Sequence, residues 1–165
     1  MLAYLARTLP VVARAFRKND GRLVSRLERR VRISEIDTNL HMNQAAYLRV
    51  AELGRLDWVI RSGALKAWRE RELRPVVAEQ RVVYRRELKP GQRYTIETRA
   101  VRIDGRLFWF EGYLLVGDRV HARVDTALIT IGSGGVISAE ETQEVGERFL
   151  AAPLVIEDWR VMNPS

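Results

Sequence analysis

The chain has 165 residues, one domain's worth of sequence and enough to bury an ordinary core, and its 47% hydrophobic and 30% charged composition excludes a mainly disordered chain. Cysteine is absent, which removes disulfide scaffolds, thiol nucleophiles, Cys-ligated zinc and iron–sulfur clusters, and with only His41 and His121 no metal site of recognisable spacing is expected. The net charge is +7 and lysine occurs only at Lys18, Lys66 and Lys89, so arginine supplies 25 of the 28 cations, in short scattered clusters that name no partner by themselves.

Leu2, Leu5, Leu9, Val12 and Phe16 recur at alternating spacings of three and four, which places them on one helical stripe opposite Arg7, Arg14 and Lys18. Pro10 predicts two short helical pieces rather than one straight helix. Arg7 interrupts the apolar run well below the roughly 20 residues of a membrane span, and no basic region precedes it as in a secretory signal. Residues 1–22 therefore form an amphipathic arm. The arm is expected to pack on its own domain or a partner subunit, with residues 1–18 open to peripheral membrane contact as the other reading. Lys18-Asn19-Asp20-Gly21 reads as the closing turn.

A first strand is expected from Leu23 to Ile33, followed by a polar stretch and then a helix from Ala45 to Ser62 with Asn43 as N-cap. Tyr47, Val50, Ala51, Gly54 and Trp58 share one face of that helix and Leu53, Leu56 and Ile60 widen it. Only a strip with Arg49, Glu52 and Arg55 is left for water, so the helix belongs inside a protein. A short helix is expected from Ala64 to Glu72. Val76 to Glu87, Arg93 to Ile103, Arg106 to Val116 and Arg119 to Ile131 read as four consecutive antiparallel strands, with hairpin signals at Asp104-Gly105 and Gly117-Asp118. Gly132-Ser133-Gly134-Gly135 reads as a turn, without the lysine or spacing of a phosphate loop. A helix from Ala139 to Leu150 closes the domain of residues 23–150, and 151–165 form a tail. A mostly apolar helix in a chain whose other elements make one antiparallel sheet is best buried if the sheet curls around it, an α+β architecture whose open edges favour a homodimer or homotetramer.

The densest group of functional side chains is the stretch Glu35-Ile36-Asp37-Thr38-Asn39-Leu40-His41-Met42-Asn43-Gln44, just before the long helix. An oxyanion placed there would meet unpaired backbone N–H groups and the positive helix end, and a nearby carboxylate would activate water or attack directly. The same residues taken singly also read as ordinary turn and cap residues.

Together with Ala45-Ala46-Tyr47 and Glu52-Leu53-Gly54-Arg55, this stretch resembles the signature of hotdog-fold acyl-CoA thioesterases of the 4-hydroxybenzoyl-CoA thioesterase type, in the branch with an Asn-Leu-His-Met-Asn run. The similarity covers about Leu27 to Leu150. It implies a curved sheet of about five strands around a long central helix, and hydrolysis of an acyl-CoA or acyl-carrier thioester with no cofactor. By resemblance Asp37 is the nucleophile or general base, His41 and Asn43 shape the loop and orient water or carbonyl, and the Gln44 N–H, with that of Ala45, polarises the thioester oxygen. Leu40 stands where many relatives have Gly, and Glu35 where Asp is frequent.

The expected substrate-binding residues are Tyr47 at the helix opening, Trp58, with Tyr84, Phe108 and Phe110, for an acyl or aryl group, and Arg81, Arg85 and Arg86 for phosphates. A cytoplasmic protein is expected, with peripheral attachment at the membrane through its arm as the other reading. Nucleic acid is not expected as a partner, since only charge would argue for it. The alternative function is a non-catalytic hotdog domain that binds acyl ligands or associates with a membrane surface.

Overall fold

In the computed structural model, which describes residues 2–18 and 20–155, helix α1 spans Leu2–Lys18 and strand β1 spans Val24–Arg30. A 3-10 turn at Ile33–Glu35 leads to helices α2 (Gln44–Arg61) and α3 (Ala64–Glu70). Strands β2 (Arg74–Tyr84), β3 (Arg93–Asp104), β4 (Leu107–Val116), β5 (Arg119–Gly132) and the two-residue β6 (Gly135–Val136) follow, then helix α4 (Ala139–Gly146) and a 3-10 turn at Glu147–Phe149. Asn19 of the expected closing turn, the Leu2 side chain of the expected stripe and residues 156–165 of the tail lie outside the described residues.

The sheet is antiparallel in the order β1-β3-β4-β5-β2, with β6 added to β5. Strands β3, β4 and β5 form the meander that the two hairpin signals require, and Gly105 and Gly117 both turn with φ +57°. Strand β2 does not neighbour β3, which follows it in sequence. It pairs instead with β5 at one edge, from Arg74↔Ile131 to Tyr84↔Ala122, while β1 takes the other edge against β3. This curled sheet wrapped on α2 is the hotdog architecture.

The core has two parts along α2. Near its N-terminal half, Tyr47, Val50 and Leu53 pack with Leu27, Met42, Ile96, Leu114 and Val124. Further along, Trp58 packs with Trp68, Phe108, Phe110 and Phe149, its ring edge-on to Phe110 at 4.8 Å. Between them Gly54 lets the helix approach the sheet, because a Cβ there would lie 2.8 Å from Ile96 Cγ2 and still closer to Thr98 Oγ1.

Helix α1 corrects two expectations. It runs through Pro10 without a break. Thr8 and Val11 on either side of the proline are buried against the domain, so tertiary packing holds a conformation the local sequence disfavours. The covered stripe is Thr8, Val11 and Ala15, whereas Leu5, Leu9 and Phe16 of the apolar stripe stay exposed. In the strip of α2 left for water, Arg49 is exposed, while Glu52 and Arg55 are partly covered. Glu52 takes the Tyr4 hydroxyl and pairs with Arg7 of α1, and Arg55 donates to Thr126 Oγ1 at 2.9 Å. Burial pushes the Arg55 pKa down to about 10.

Candidate active site

The segment before α2 is a tight hairpin closed by its own backbone. Asp37 N–H donates to His41 O at 3.0 Å, Leu40 N–H to Asp37 O at 3.1 Å, and Ile36 bridges Met42. The Asp37 carboxylate accepts the Asn39 N–H at 2.9 Å, and Leu40 completes the turn with φ +60°. Leu40 adopts this left-handed conformation, which suits Gly, at a steric cost, and is 73% exposed.

Glu35 anchors the hairpin from below. It is buried, its main-chain oxygen accepts the Asn43 N–H at 2.7 Å, and its carboxylate accepts the Arg32 N–H at 3.0 Å. Met42 N–H donates to Leu88 O at 2.8 Å, tying the other arm to the β2–β3 connection. The loop is therefore fastened on both sides, which fixes where Asp37 points.

Asn43 caps α2, its Oδ1 accepting the Ala45 N–H at 2.9 Å while its carbonyl accepts the Ala46 N–H. This corrects the pairing of the Ala45 N–H with that of Gln44 as oxyanion donors, because the Ala45 donor is already used. The Gln44 N–H, first in the helix, has no acceptor among the described residues.

Asp37, His41, Asn43, Gln44, Tyr47, Arg85 and Arg86 all line one open cleft of about 570 Å³, together with Asn39, Met42, Tyr84 and Glu87. His41 Nδ1 lies 3.6 Å from Asp37 Oδ1, close enough for charge interaction but beyond a hydrogen bond. Tyr47 and Tyr84 meet edge-to-face at 5.0 Å and form the apolar wall, and burial raises the pKa of both phenols. The Tyr84 hydroxyl reaches Gln44 O at 3.4 Å. Arg86 also donates to Val120 O at 3.3 Å.

Four expected binding residues fall elsewhere. Trp58 is fully buried with its indole N–H on Leu23 O at 2.8 Å, and Phe108 and Phe110 pack against it in the core. Eleven residues separate Trp58 from Tyr47, about 16 Å along a helix, so the two cannot line one small cleft. Arg81 lies on a different cavity of about 370 Å³ with Glu79, Trp109, Arg123 and Asp125. Sequence reasoning missed the buttress made by His121. Its carbonyl accepts the Arg85 and Arg86 N–H groups, and its Nδ1 lies 2.9 Å from Glu87 O. Its isolation in a strand sequence gave no signal, because these partners lie about 35 residues away.

A hotdog domain in which Asp37 and the first residue of the central helix line one cleft has the form of a thioesterase-like protein. The profile of the Thioesterase-like superfamily matches residues 31–152, and the chain belongs to that family. Among curated proteins it is 34% identical over 82 residues to Protein THEM6 of Danio rerio; the match covers 50% of this chain and 41% of that relative, so it spans less than half of the relative's length. Among solved structures it resembles the probable thioesterase YbaW from Escherichia coli, with TM-score 0.70, 20% identity, and 77% and 99% of the two chains covered. It also resembles the 12:0-ACP thioesterase from Umbellularia californica, with TM-score 0.71, 13% identity, and 92% and 60% covered. At these identities the structural likeness speaks for the fold. No described helix is long and apolar enough to cross a membrane, and no described group of His, Cys, Asp and Glu has the geometry of a metal site.

Proposed function

We propose that the protein hydrolyses an acyl thioester to a free acid and a thiol. The observation that carries this reading is that Asp37 lines the same cleft as Gln44, whose N–H has no acceptor among the described residues. With the thioester carbonyl oxygen on the Gln44 N–H, charge developing on that oxygen is met by a fixed donor and the positive end of α2. Asp37 then accepts a proton from an attacking water, the tetrahedral intermediate expels the thiolate, and the proton passes to the departing sulfur. Direct attack by Asp37 would give a mixed anhydride that water cleaves to the same products. His41 beside Asp37 orients the water or the carbonyl, and Asn43 acts through the helix cap.

The substrate in this reading is an acyl-CoA or acyl-carrier thioester. Tyr47 and Tyr84 offer apolar surface to the acyl or aryl group, while Arg85 and Arg86 at the rim offer cations to phosphates. Assembly as a homodimer or homotetramer is supported by β2, an eleven-residue edge strand exposed along most of its length.

The test is thiol release from short, long and aryl acyl-CoA substrates by the wild type, Asp37→Asn and Asp37→Ala, with folding checked by circular dichroism. Turnover by the wild type and a loss of at least about a hundredfold in both variants is expected. Absence of turnover across the panel, or variants that match the wild type, would transfer the cleft to the reading of a non-catalytic acyl-binding module.

A further inference from the structure

Leu5, Leu9 and Phe16 form a ridge along α1 and are 40%, 57% and 55% exposed, with Tyr4 beside them at 47%. The ridge is held in place. Thr8, Val11 and Ala15 are buried on the adjoining face of the helix, Glu52 accepts the Tyr4 hydroxyl, and at the end of the helix Gly21 N–H donates to Arg61 O. From Leu5 to Phe16 the rise is about 16 Å, so the apolar groups lie along one straight flank rather than at a tip. Several large apolar side chains aligned on a docked surface helix mark a contact face.

The charge around the ridge is mainly positive, with Glu52, which pairs with Arg7, and Glu70 as the nearby acids. Helix α1 carries Arg7, Arg14, Arg17 and Lys18 and no acid. Beyond Phe16 lies an apolar cleft of about 330 Å³ with Ile60 and Leu65, bordered by Lys66 and Arg69. Glu70 is the acid on that cleft, and it pairs with Lys66 at 3.8 Å. Arg17, Lys18, Lys66 and Arg69 are all exposed.

We propose that this face docks the protein on an anionic lipid surface, with α1 parallel to the bilayer plane, Leu5, Leu9 and Phe16 at the boundary between headgroups and acyl chains, and Arg17, Lys66 and Arg69 on the headgroup phosphates. The charge pattern selects this occupant. Two copies meeting through the same face would bring the Arg17, Lys66 and Arg69 clusters together, and the like charges would oppose the contact. A bilayer supplies the opposite charge and accepts a convex apolar ridge without a matching groove. The inference stands apart from the chemistry of Asp37, because none of these residues lines the catalytic cleft.

The test is co-sedimentation of the full chain with vesicles of phosphatidylcholine alone and of phosphatidylcholine mixed equally with phosphatidylglycerol, at low and high salt. Binding is expected only with the anionic vesicles, falling roughly fivefold for each cation removed. Arg17→Glu with Arg69→Glu should therefore bind more than tenfold more weakly. Leu9→Glu with Phe16→Glu, and the milder Leu9→Ser with Phe16→Ser, should lose binding to a similar degree while keeping the wild-type melting temperature and thiol release. Failure of the wild type to bind anionic vesicles overturns the proposal, as does binding that survives both pairs of substitutions. A fall in oligomeric state on light scattering of the Leu9 and Phe16 variants, with no vesicle binding by the wild type, would assign the ridge to a second copy instead.

Discussion

Replacing Gly54 by alanine sets two effects of known sign against each other. Helix propensity alone favours alanine in mid-helix by about 1 kcal/mol. The added methyl would sit 2.8 Å from Ile96 Cγ2 and nearer still to Thr98 Oγ1, whereas carbon atoms at rest lie about 3.5–4.0 Å apart. Both obstructing side chains are β-branched, buried and mounted on β3 directly beneath α2, so neither can swing aside and the helix must lift from the sheet. Overpacking of this kind costs about 1–3 kcal/mol, and the two simultaneous contacts place Gly54→Ala in the upper part of that range. The net expectation is a loss of about 1–2 kcal/mol, or roughly 3–6 °C in melting temperature for a chain of this length. Urea unfolding followed by tryptophan fluorescence measures it, and Thr98→Ala in the same chain should return part of the loss by removing one contact. A Gly54→Ala protein that melts at or above the wild-type temperature would show that propensity dominates and that the close approach carries no energetic weight.

Three further outcomes follow from the loop and its surroundings. Leu40→Gly relieves a left-handed residue worth about 1–2 kcal/mol and gives back part in chain freedom, so thermal unfolding should show a gain of about 0.5–1 kcal/mol. Asn43→Ala removes the cap on the Ala45 N–H and should cost about 1 kcal/mol in urea unfolding, with Asn43→Asp restoring most of it; equal stability of the alanine variant would refute the capping role. Hydrogen bonding from Arg61 holds the Asp20 carboxyl below its ordinary range, so its contribution is present at neutral pH and is lost as pH falls through the lowered folded value. The stability gap between wild type and Asp20→Asn should therefore close on acidification, and a gap that is constant with pH would contradict this linkage.

The parts of the fold that local chemistry dictates were legible in the sequence. Asp104-Gly105 and Gly117-Asp118 require positive φ and bring β3, β4 and β5 together, and the cap, turn residues and apolar periodicity around Asn43 predict both α2 and the loop before it. Pairings set by distant residues were not. The placement of β2 against β5 depends on the closed sheet, not on the sequence between β2 and β3. On α1 the periodicity identifies an apolar stripe but not the covered one, because Thr8 and Ala15 pack by being small. In the site, the hairpin residues cluster because they are neighbours in sequence. Arg81 fails to join Arg85 and Arg86 because it lies within β2, which ends at Tyr84, whereas Arg85 and Arg86 belong to the connection that follows, where their N–H groups bond His121 O.

The family match begins at residue 31, yet the interior is already committed upstream of it. Ser25 Oγ–H donates to the buried Asp57 carboxylate at 2.5 Å, and the Leu23 carbonyl accepts the Trp58 indole N–H. Without that stretch, the Asp57 carboxylate would keep Arg61 at 3.6 Å but lose its hydroxyl donor, the Trp58 indole N–H would lose its acceptor, and β3 would present a bare edge. The unit that inheritance recognises and the unit that folds cooperatively therefore have different borders, and the second reaches back into the segment that links the arm to the sheet.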